Sequence, residues 1–264
     1  MNLQLEDKTV VVTGGSSGIG LATVELLIQE GARVAFCGRN QENLDTVFAD
    51  LSERYPSSKL LAQRCDVLEQ EQVAAFANAV EQRFGGVDAL INNAGGGRVS
   101  TFADTTDEQW QQEFTLKFFG VIYPTRAFLP LLEASRQASI VCVNSLLALQ
   151  PEPHMVATSA ARSGLLNLVQ SMAGEFAPKG IRVNSILLGT VRSAQWRRRY
   201  DALPSPEQSY EDWLEQLATE KNIPLRRFGT PEEPARAMVF LASPASSYTT
   251  GSSIDLSGGM ARHI

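Results

Sequence analysis

The sequence predicts a doubly wound α/β fold: a seven-stranded parallel sheet in a single domain, with helices packed on both faces. Three observations predict it. Short runs rich in β-branched residues alternate with longer amphipathic stretches along almost the whole chain. The first of these runs passes directly into a glycine-rich turn, Thr13 to Gly20, followed by a helical pattern. No repeat, low-complexity tract or linker divides the 264 residues, a length that one α/β domain fills.

The strands are expected at Thr9–Thr13, Arg33–Cys37, Leu60–Val67, Val87–Asn92, Ser139–Ser145, Arg182–Leu187 and Ser253–Leu256. Helical patterns lie between them, near 18–30, 41–54, 70–84, 107–135, 156–177 and 231–242. A strand followed each time by a helix demands parallel pairing, because every crossover helix must pack back onto the sheet. The last helix carries its own start signal: Thr230 as N-cap, Pro231 at the first helical position and Glu233 completing a capping box. Residues 190–224 break the rhythm. They hold Pro204, Pro206 and Pro224, the basic run Arg197-Arg198-Arg199 and an amphipathic piece around Tyr210–Glu220, and read as a lid inserted into the single domain of residues 1–264.

Composition narrows the function classes. Hydrophobic residues make up 44% and charged residues 20%, a globular balance that excludes disorder and fibrous folds. A net charge of −6 has the wrong sign for coating nucleic acid or an anionic membrane, so neither partner is expected. Cys37, Cys65 and Cys142 are far apart, lack CxxC spacing and have only two histidines to help them, so no metal site or disulfide framework is expected. The start, Met1 to Lys8, carries Glu6 and Asp7 in place of a basic leader, and no apolar run reaches the roughly 18 residues of a membrane span. A cytoplasmic location is the expectation.

The glycine turn gives the first chemical clue. In Gly14-Gly15-Ser16-Ser17-Gly18-Ile19-Gly20 the glycines permit a tight turn and close backbone approach, and the helix that follows offers free N–H groups to a pyrophosphate. Gly14, Ser16, Ser17, Gly18, Ile19 and Gly20 are therefore candidate dinucleotide contacts in a Rossmann-type site. After the second strand comes Gly38-Arg39, where a carboxylate would be needed for an unphosphorylated ribose. Arg39 suits a 2′-phosphate instead, which favours NADP(H) over NAD(H).

Further motifs follow in a fixed order: Asp66-Val67, Asn92-Asn93-Ala94-Gly95, Pro224 to Glu233, Val239 to Ser243, and Ser257-Gly258-Gly259. With the Thr13–Gly20 turn, this order resembles that of the short-chain dehydrogenase/reductase family over nearly the whole chain. The resemblance implies a dinucleotide-dependent oxidoreductase. It places Asp66 and Val67 at the adenine end, Asn93, Ala94 and Gly95 along the adenosine ribose, and Gly189 and Val191 near the nicotinamide amide. Leu188 stands where the family commonly has proline, which leaves that turn less rigid. The family also implies a homodimer or homotetramer built on the helices at 107–135 and 156–177, and the first of these carries Phe114, Phe118, Phe119 and Phe128, more apolar surface than one buried stripe requires.

The family's Asn–Ser–Tyr–Lys set is where the sequence departs. Ser145 matches the serine, but Lys117, Thr158 and Arg162 occupy the asparagine, tyrosine and lysine positions. An aliphatic hydroxyl is a far weaker acid than a phenol, so Thr158 can orient an oxygen but is a poor proton donor. Arg162 supplies fixed charge for a ribose or an anion and does not exchange protons readily. Two residues remain as proton donors. Lys117 gains from burial and a neighbouring cation, and His154 lies one helical turn before Thr158 with a suitable ordinary pKa. Arg192, Arg197, Arg198 and Arg199 beside Trp196 and Tyr200 could clamp an anionic small-molecule substrate, although consecutive arginines on a helix point in different directions. The leading reading is an NADP(H)-dependent oxidoreductase of small carbonyls or alcohols with an altered active site. Two others stay open: a dinucleotide-binding sensor or scaffold without turnover, and a non-redox enzyme on the same fold.

Overall fold

A computed structural model describes residues 2–203 and 208–262. Pro204, Pro206 and Glu207 of the expected lid lie outside the described residues, as does Met1. Seven parallel strands form one sheet in the order β3-β2-β1-β4-β5-β6-β7. They are β1 (Thr9–Thr13), β2 (Arg33–Gly38), β3 (Leu60–Arg64), β4 (Ala89–Asn92), β5 (Ser139–Ser145), β6 (Arg182–Leu188) and β7 (Ser253–Leu256). The helices are α1 (Gly18–Gln29), α2 (Gln41–Arg54), α3 (Gln70–Phe84), α4 (Asp107–Glu133), α5 (Val156–Phe176), α6 (Ala194–Asp201), α7 (Tyr210–Glu220) and α8 (Glu232–Ala242).

The expected strand-then-helix order is the observed one, and the differences are local. β3 stops three residues early. The Cys65 N–H still reaches the Gly38 carbonyl at 2.9 Å, but the Asp66 N–H turns to the Gln72 side chain and the chain bends into α3. Thr230 is not the N-cap of α8: the cap position is Pro231, with no side-chain cap bond. The Glu233 carboxylate instead accepts the Thr230 N–H at 2.8 Å and a two-pronged contact from Arg227, so only the reaching-back half of the box forms. A full capping box starts α4, where Thr106 and Gln109 satisfy each other's backbone N–H groups.

Each face of the sheet carries its own core. One joins Val11, Cys37, Leu90, Ile140 and Val183 to Phe76, Phe128, Leu165 and Val169 from α3, α4 and α5. The other joins Val10, Val12, Phe36, Ile91 and Val141 to Leu27, Leu44, Leu51 and Met238 from α1, α2 and α8. Central strands buried on both faces explain the unbroken apolar runs such as Val10-Val11-Val12. A smaller cluster holds the insertion together: Leu214, Ala218, Ile223 and Phe228 pack with Trp196, Tyr210 and Trp213. Among the described residues, no helix is long and apolar enough to cross a membrane.

Strand order reverses between β1 and β4, so their neighbouring helices lie on opposite faces and a crevice opens at the carboxyl ends of these two strands. Phe128 is fully buried and meets Phe76 edge to face, with ring centres 5.7 Å apart. Phe128→Ala should therefore lower unfolding free energy by about 3–5 kcal/mol, read by urea titration, with little change in the slope of the transition.

Candidate functional site

The crevice is stitched shut at its base. The Thr13 hydroxyl accepts the N–H groups of Asn93 at 3.0 Å and Ala94 at 3.1 Å. The Asn93 amide donates back to the carbonyls of Thr13 and Gly14, each at 3.0 Å. Gly14 has φ +67°, and a Cβ there would sit 2.9 Å from the Cα of Ala94, so the approach of the two loops requires glycine. A Cβ on Gly20 would collide with the Gly14 carbonyl oxygen.

Above this base the first turn of α1 points into open space. Ser17, its N-cap, makes no side-chain cap bond, and a Cβ on Gly18 would meet nothing within 4 Å. Uncapped N–H groups facing a glycine cradle fit a pyrophosphate well. Around the cradle, the Ser16 carbonyl accepts from Asn43 at 2.9 Å, and Ile19 is partly buried against the second core. Arg39 is exposed at the end of β2. A residue that sequence reasoning missed stands beside it: Arg64 pairs in register with Gly38, and its Nε donates to the Arg39 carbonyl at 3.2 Å. Strand register brings it there, a signal absent from a linear reading. The Asp66 carboxylate accepts the Leu68 N–H at 3.0 Å, and Val67 is buried beneath it.

At the other end of the crevice, Gly189 N–H donates to the Leu256 carbonyl at 3.2 Å. Val191 makes an isolated parallel bridge with Gly229, through Gly229 N–H to the Thr190 carbonyl and Arg192 N–H to the Gly229 carbonyl. These bonds stand in for the rigidity that Leu188 does not supply.

The four positions of the altered set fall into two hydrogen-bonded groups, Ser145 with Arg162 through Asn144 and Thr158 with Lys117 through one carboxylate. Ser145, ending β5, donates to the Leu188 carbonyl at 3.2 Å and accepts the Leu147 N–H at 3.3 Å. Its backbone N–H bonds the Asn144 side-chain oxygen, and the Asn144 amide bonds the Arg162 carbonyl. The Arg162 guanidinium donates to the Val143 carbonyl at 2.7 Å and to the Gly96 carbonyl at 3.5 Å, and its buried Nε has no partner. Thr158 accepts the Arg98 N–H at 3.0 Å and donates to a carboxylate oxygen at 2.8 Å.

That carboxylate belongs to Glu113, the second residue that sequence reasoning missed. Its Oε2 also lies 3.1 Å from the Lys117 Nζ, and the two side chains are only 7% and 2% exposed. A Glu–Lys pair four apart on a helix reads as an exposed surface pair, and only the packing of α5 against α4 shows otherwise. Burial, then the charges of Arg162 and Arg98, push Lys117 down from 10.5 to about 8, with Glu113 pulling the other way. Burial also lowers Arg162 to about 10.

His154 does not join this group. Its side chain is 55% exposed and lies 3.1 Å from Glu152 on the loop before α5. The expected arginine clamp also takes another form. Arg197 stacks 3.6 Å over the Tyr210 ring and Arg192, just before α6, pairs with Glu211 at 2.7 Å, so both tie this segment to α7, while Arg199 lies 4.6 Å over Trp196 within α6 itself.

The chain is similar to known proteins along nearly its whole length. The family described as enoyl-(acyl carrier protein) reductase matches residues 14–261. The 3-oxoacyl-[acyl-carrier-protein] reductase FabG of Thermotoga maritima is 33% identical over 258 residues, covering 98% of this chain and 99% of that protein. A short-chain oxidoreductase from Pseudomonas aeruginosa PAO1 containing an atypical catalytic center is similar in both its forms. The apo structure has TM-score 0.95 and 62% identity over 97% of this chain and 98% of that one. The NADPH-bound structure has TM-score 0.94 and 61% identity over 98% and 100%. L-Sorbose reductase from Gluconobacter frateurii, complexed with NADPH and L-sorbose, has TM-score 0.94 and 30% identity, with full coverage of both chains.

Because the folded protein holds Lys117 below its ordinary 10.5, folding disfavours the ammonium. The resulting cost is full below about pH 8 and fades as pH rises towards 10.5, where the unfolded chain also loses the proton. The stability of the wild type relative to Lys117→Met should therefore rise with pH across this window, measured by urea unfolding at each pH. A difference that stays flat would place the Lys117 titration elsewhere.

Proposed function

The chain belongs to the short-chain dehydrogenase/reductase family, and from that premise we propose an NADP(H)-dependent oxidoreductase of small carbonyl or alcohol substrates in which a lysine replaces the phenol as proton donor. The observation that carries this reading is the nearly inaccessible Lys117, paired with Glu113 and brought close to neutrality by burial and Arg162. A general acid works best when its pKa lies near the working pH.

The NADPH-bound relatives support the cofactor, and the open cradle at Gly18 fits it. Gly14, Ser16, Ser17, Gly18, Ile19 and Gly20 would hold the pyrophosphate, Asp66, Val67 and Asn93 to Gly95 the adenosine, and Arg162, Gly189 and Val191 the nicotinamide side. Arg39, with Arg64 beside it, would take the 2′-phosphate through charge-assisted bonds. A bound nicotinamide supplies or accepts hydride. The chain's own residues do the rest: Ser145 offers its hydroxyl to the substrate oxygen, Lys117 holds the proton and Arg162 supplies fixed positive charge. Thr158 acts as an anchor, since its hydroxyl bonds both Glu113 and the backbone of Arg98. His154, exposed and beside Glu152, is left out of the proton path.

Three cations, Arg98, Lys117 and Arg162, face one carboxylate, and that excess favours a substrate with an anionic group or one that becomes an oxyanion. The described parts of the insertion, 190–203 and 208–224, act as a lid over the substrate end of the same domain, held together by their aromatic cluster. The chain pairs with a second copy through α4 and α5, where Trp110, Phe114 and Phe118 stack in a row and Phe114 and Phe119 stay 38% and 39% exposed. Phe128 is excluded from that face, because it lies fully inside the core.

Calorimetry with NADPH and NADH tests the cofactor reading. NADPH should bind in the micromolar range, and Arg39→Ala should weaken it at least about tenfold while barely changing NADH. Lys117→Met should bind NADPH normally and lose roughly 100-fold in its consumption with ketoses and 3-oxoacyl thioesters. A wild type that binds NADPH and turns over none of these would favour the sensor or scaffold.

A further inference from the structure

Glu113 sits one helical turn before Lys117, facing α5 from α4, where neither the dinucleotide motifs nor the family's set of four places a functional group. Its carboxylate is buried, and burying a charge is costly unless it is paired and hydrogen-bonded. Both conditions are met at a single oxygen, Oε2, with the Lys117 ammonium at 3.1 Å and the Thr158 hydroxyl at 2.8 Å. Thr158 spends its acceptor on the Arg98 N–H, so its one proton points to Glu113, with the Arg98 carbonyl the more distant choice at 3.2 Å. The charged groups around Lys117 are thus Glu113 from its own helix, Arg162 from α5 and Arg98 from the loop after β4. Two of these are cations.

We propose that Glu113 is a positioning residue of the reacting centre: from one carboxylate oxygen it fixes the Lys117 ammonium against the Thr158 hydroxyl and keeps that lysine proton-bearing amid the two guanidinium groups. The proposal rests on reading Lys117 as the proton donor. The balance of forces supports it. Burial and Arg162 drive Lys117 down to about 8, and Glu113 is the group that opposes them by charge and by hydrogen bond. Without that carboxylate the lowering forces act unopposed by it, and a smaller share of the lysine carries a proton at neutral pH. Thr158 contributes by holding the carboxylate in place from α5, so α4 and α5 must pack correctly before the centre exists.

The test follows Lys117 in the full chain carrying 13C-labelled lysine, with its side-chain signal assigned by its loss in Lys117→Met. In Glu113→Gln, which keeps size and acceptor but removes charge, the Lys117 titration midpoint should fall by at least one pH unit, a tenfold rise in the proton concentration at half-titration. Glu113→Asp should recover part of the shift. An unchanged midpoint in Glu113→Gln overturns the proposal. Should that variant not fold, the Glu113 side-chain carboxyl carbon of the wild type should show an inflection at the Lys117 midpoint, and a trace without one also overturns it. The two readings fail differently: NADPH consumption that survives in Lys117→Met ends the proton-donor role and leaves the titration result standing.

Discussion

The hydroxyl of Thr13 is the point on which the geometry of the site depends. It lies where strand order reverses, and it takes the N–H groups of Asn93 and Ala94 while the Asn93 amide closes the loop back to Thr13 and Gly14. These groups are part-buried, and leaving any one unpaired costs about 1–3 kcal/mol, so the two loops are locked together. That lock sets the direction of α1, and with it the cradle in front of Gly18. It also fixes the start of the segment Ala94 to Arg98, whose far end is held by Thr158. One strand end therefore orients both the phosphate-binding turn and the loop that roofs the altered centre.

At the reactive end the governing constraint is electrostatic. Arg162 reaches the Val143 carbonyl at 2.7 Å and the Gly96 carbonyl at 3.5 Å, two acceptors for a guanidinium with five donors, and its Nε is left bare. Lys117 has the Glu113 carboxylate, but that oxygen is shared. Breaking a buried pair by removing one partner usually costs about 3–5 kcal/mol, because the other charge stays buried and unmatched. The chain accepts such an arrangement in a crevice where positive charge can meet an electron-rich group. An apolar core at the same place would be easier to fold and could hold no charge for a ligand.

Much of this was legible in the sequence because it is periodic or local. The alternation of strands and helices gave the sheet, and the glycine turn gave the phosphate cradle, since both follow from short-range sterics and one-dimensional spacing. Lys117, Thr158 and Arg162 could be picked out by spacing. Glu113, Arg64 and Arg98 could not, because each becomes significant only through a neighbour distant in sequence: Thr158 for Glu113 and Arg98, Gly38 for Arg64. The lid misled for a related reason. Three adjacent arginines suggest an anion clamp, yet Arg199 stacks on Trp196 one helical turn before it and Arg197 on Tyr210 of the next helix, and only the second pairing is hidden from periodicity. The capping box at Thr230 forms only in part: the Glu233 carboxylate takes the Thr230 N–H, but the Glu233 N–H goes to the Thr230 carbonyl and not to its hydroxyl.

The exchange of a phenol for Thr158 is coherent only if the neighbouring changes are taken with it. A phenol with an ordinary pKa near 10 needs an adjacent cation to become a useful acid, and the cation itself need not exchange protons. Here the hydroxyl at that position is saturated by Glu113 and Arg98, so it cannot also serve the substrate without breaking a bond. The work divides between two cations whose environments separate them. Arg162, lowered to about 10, stays charged at neutral pH, and Lys117, lowered to about 8, lies within reach of proton exchange there. A lysine at position 162 would leave two exchangeable amines in mutual repulsion, whereas an arginine holds the fixed charge that presses Lys117 towards neutrality. The three substitutions around the retained Ser145 read as one design, which under the proposed reading moves the proton carrier from α5 to α4.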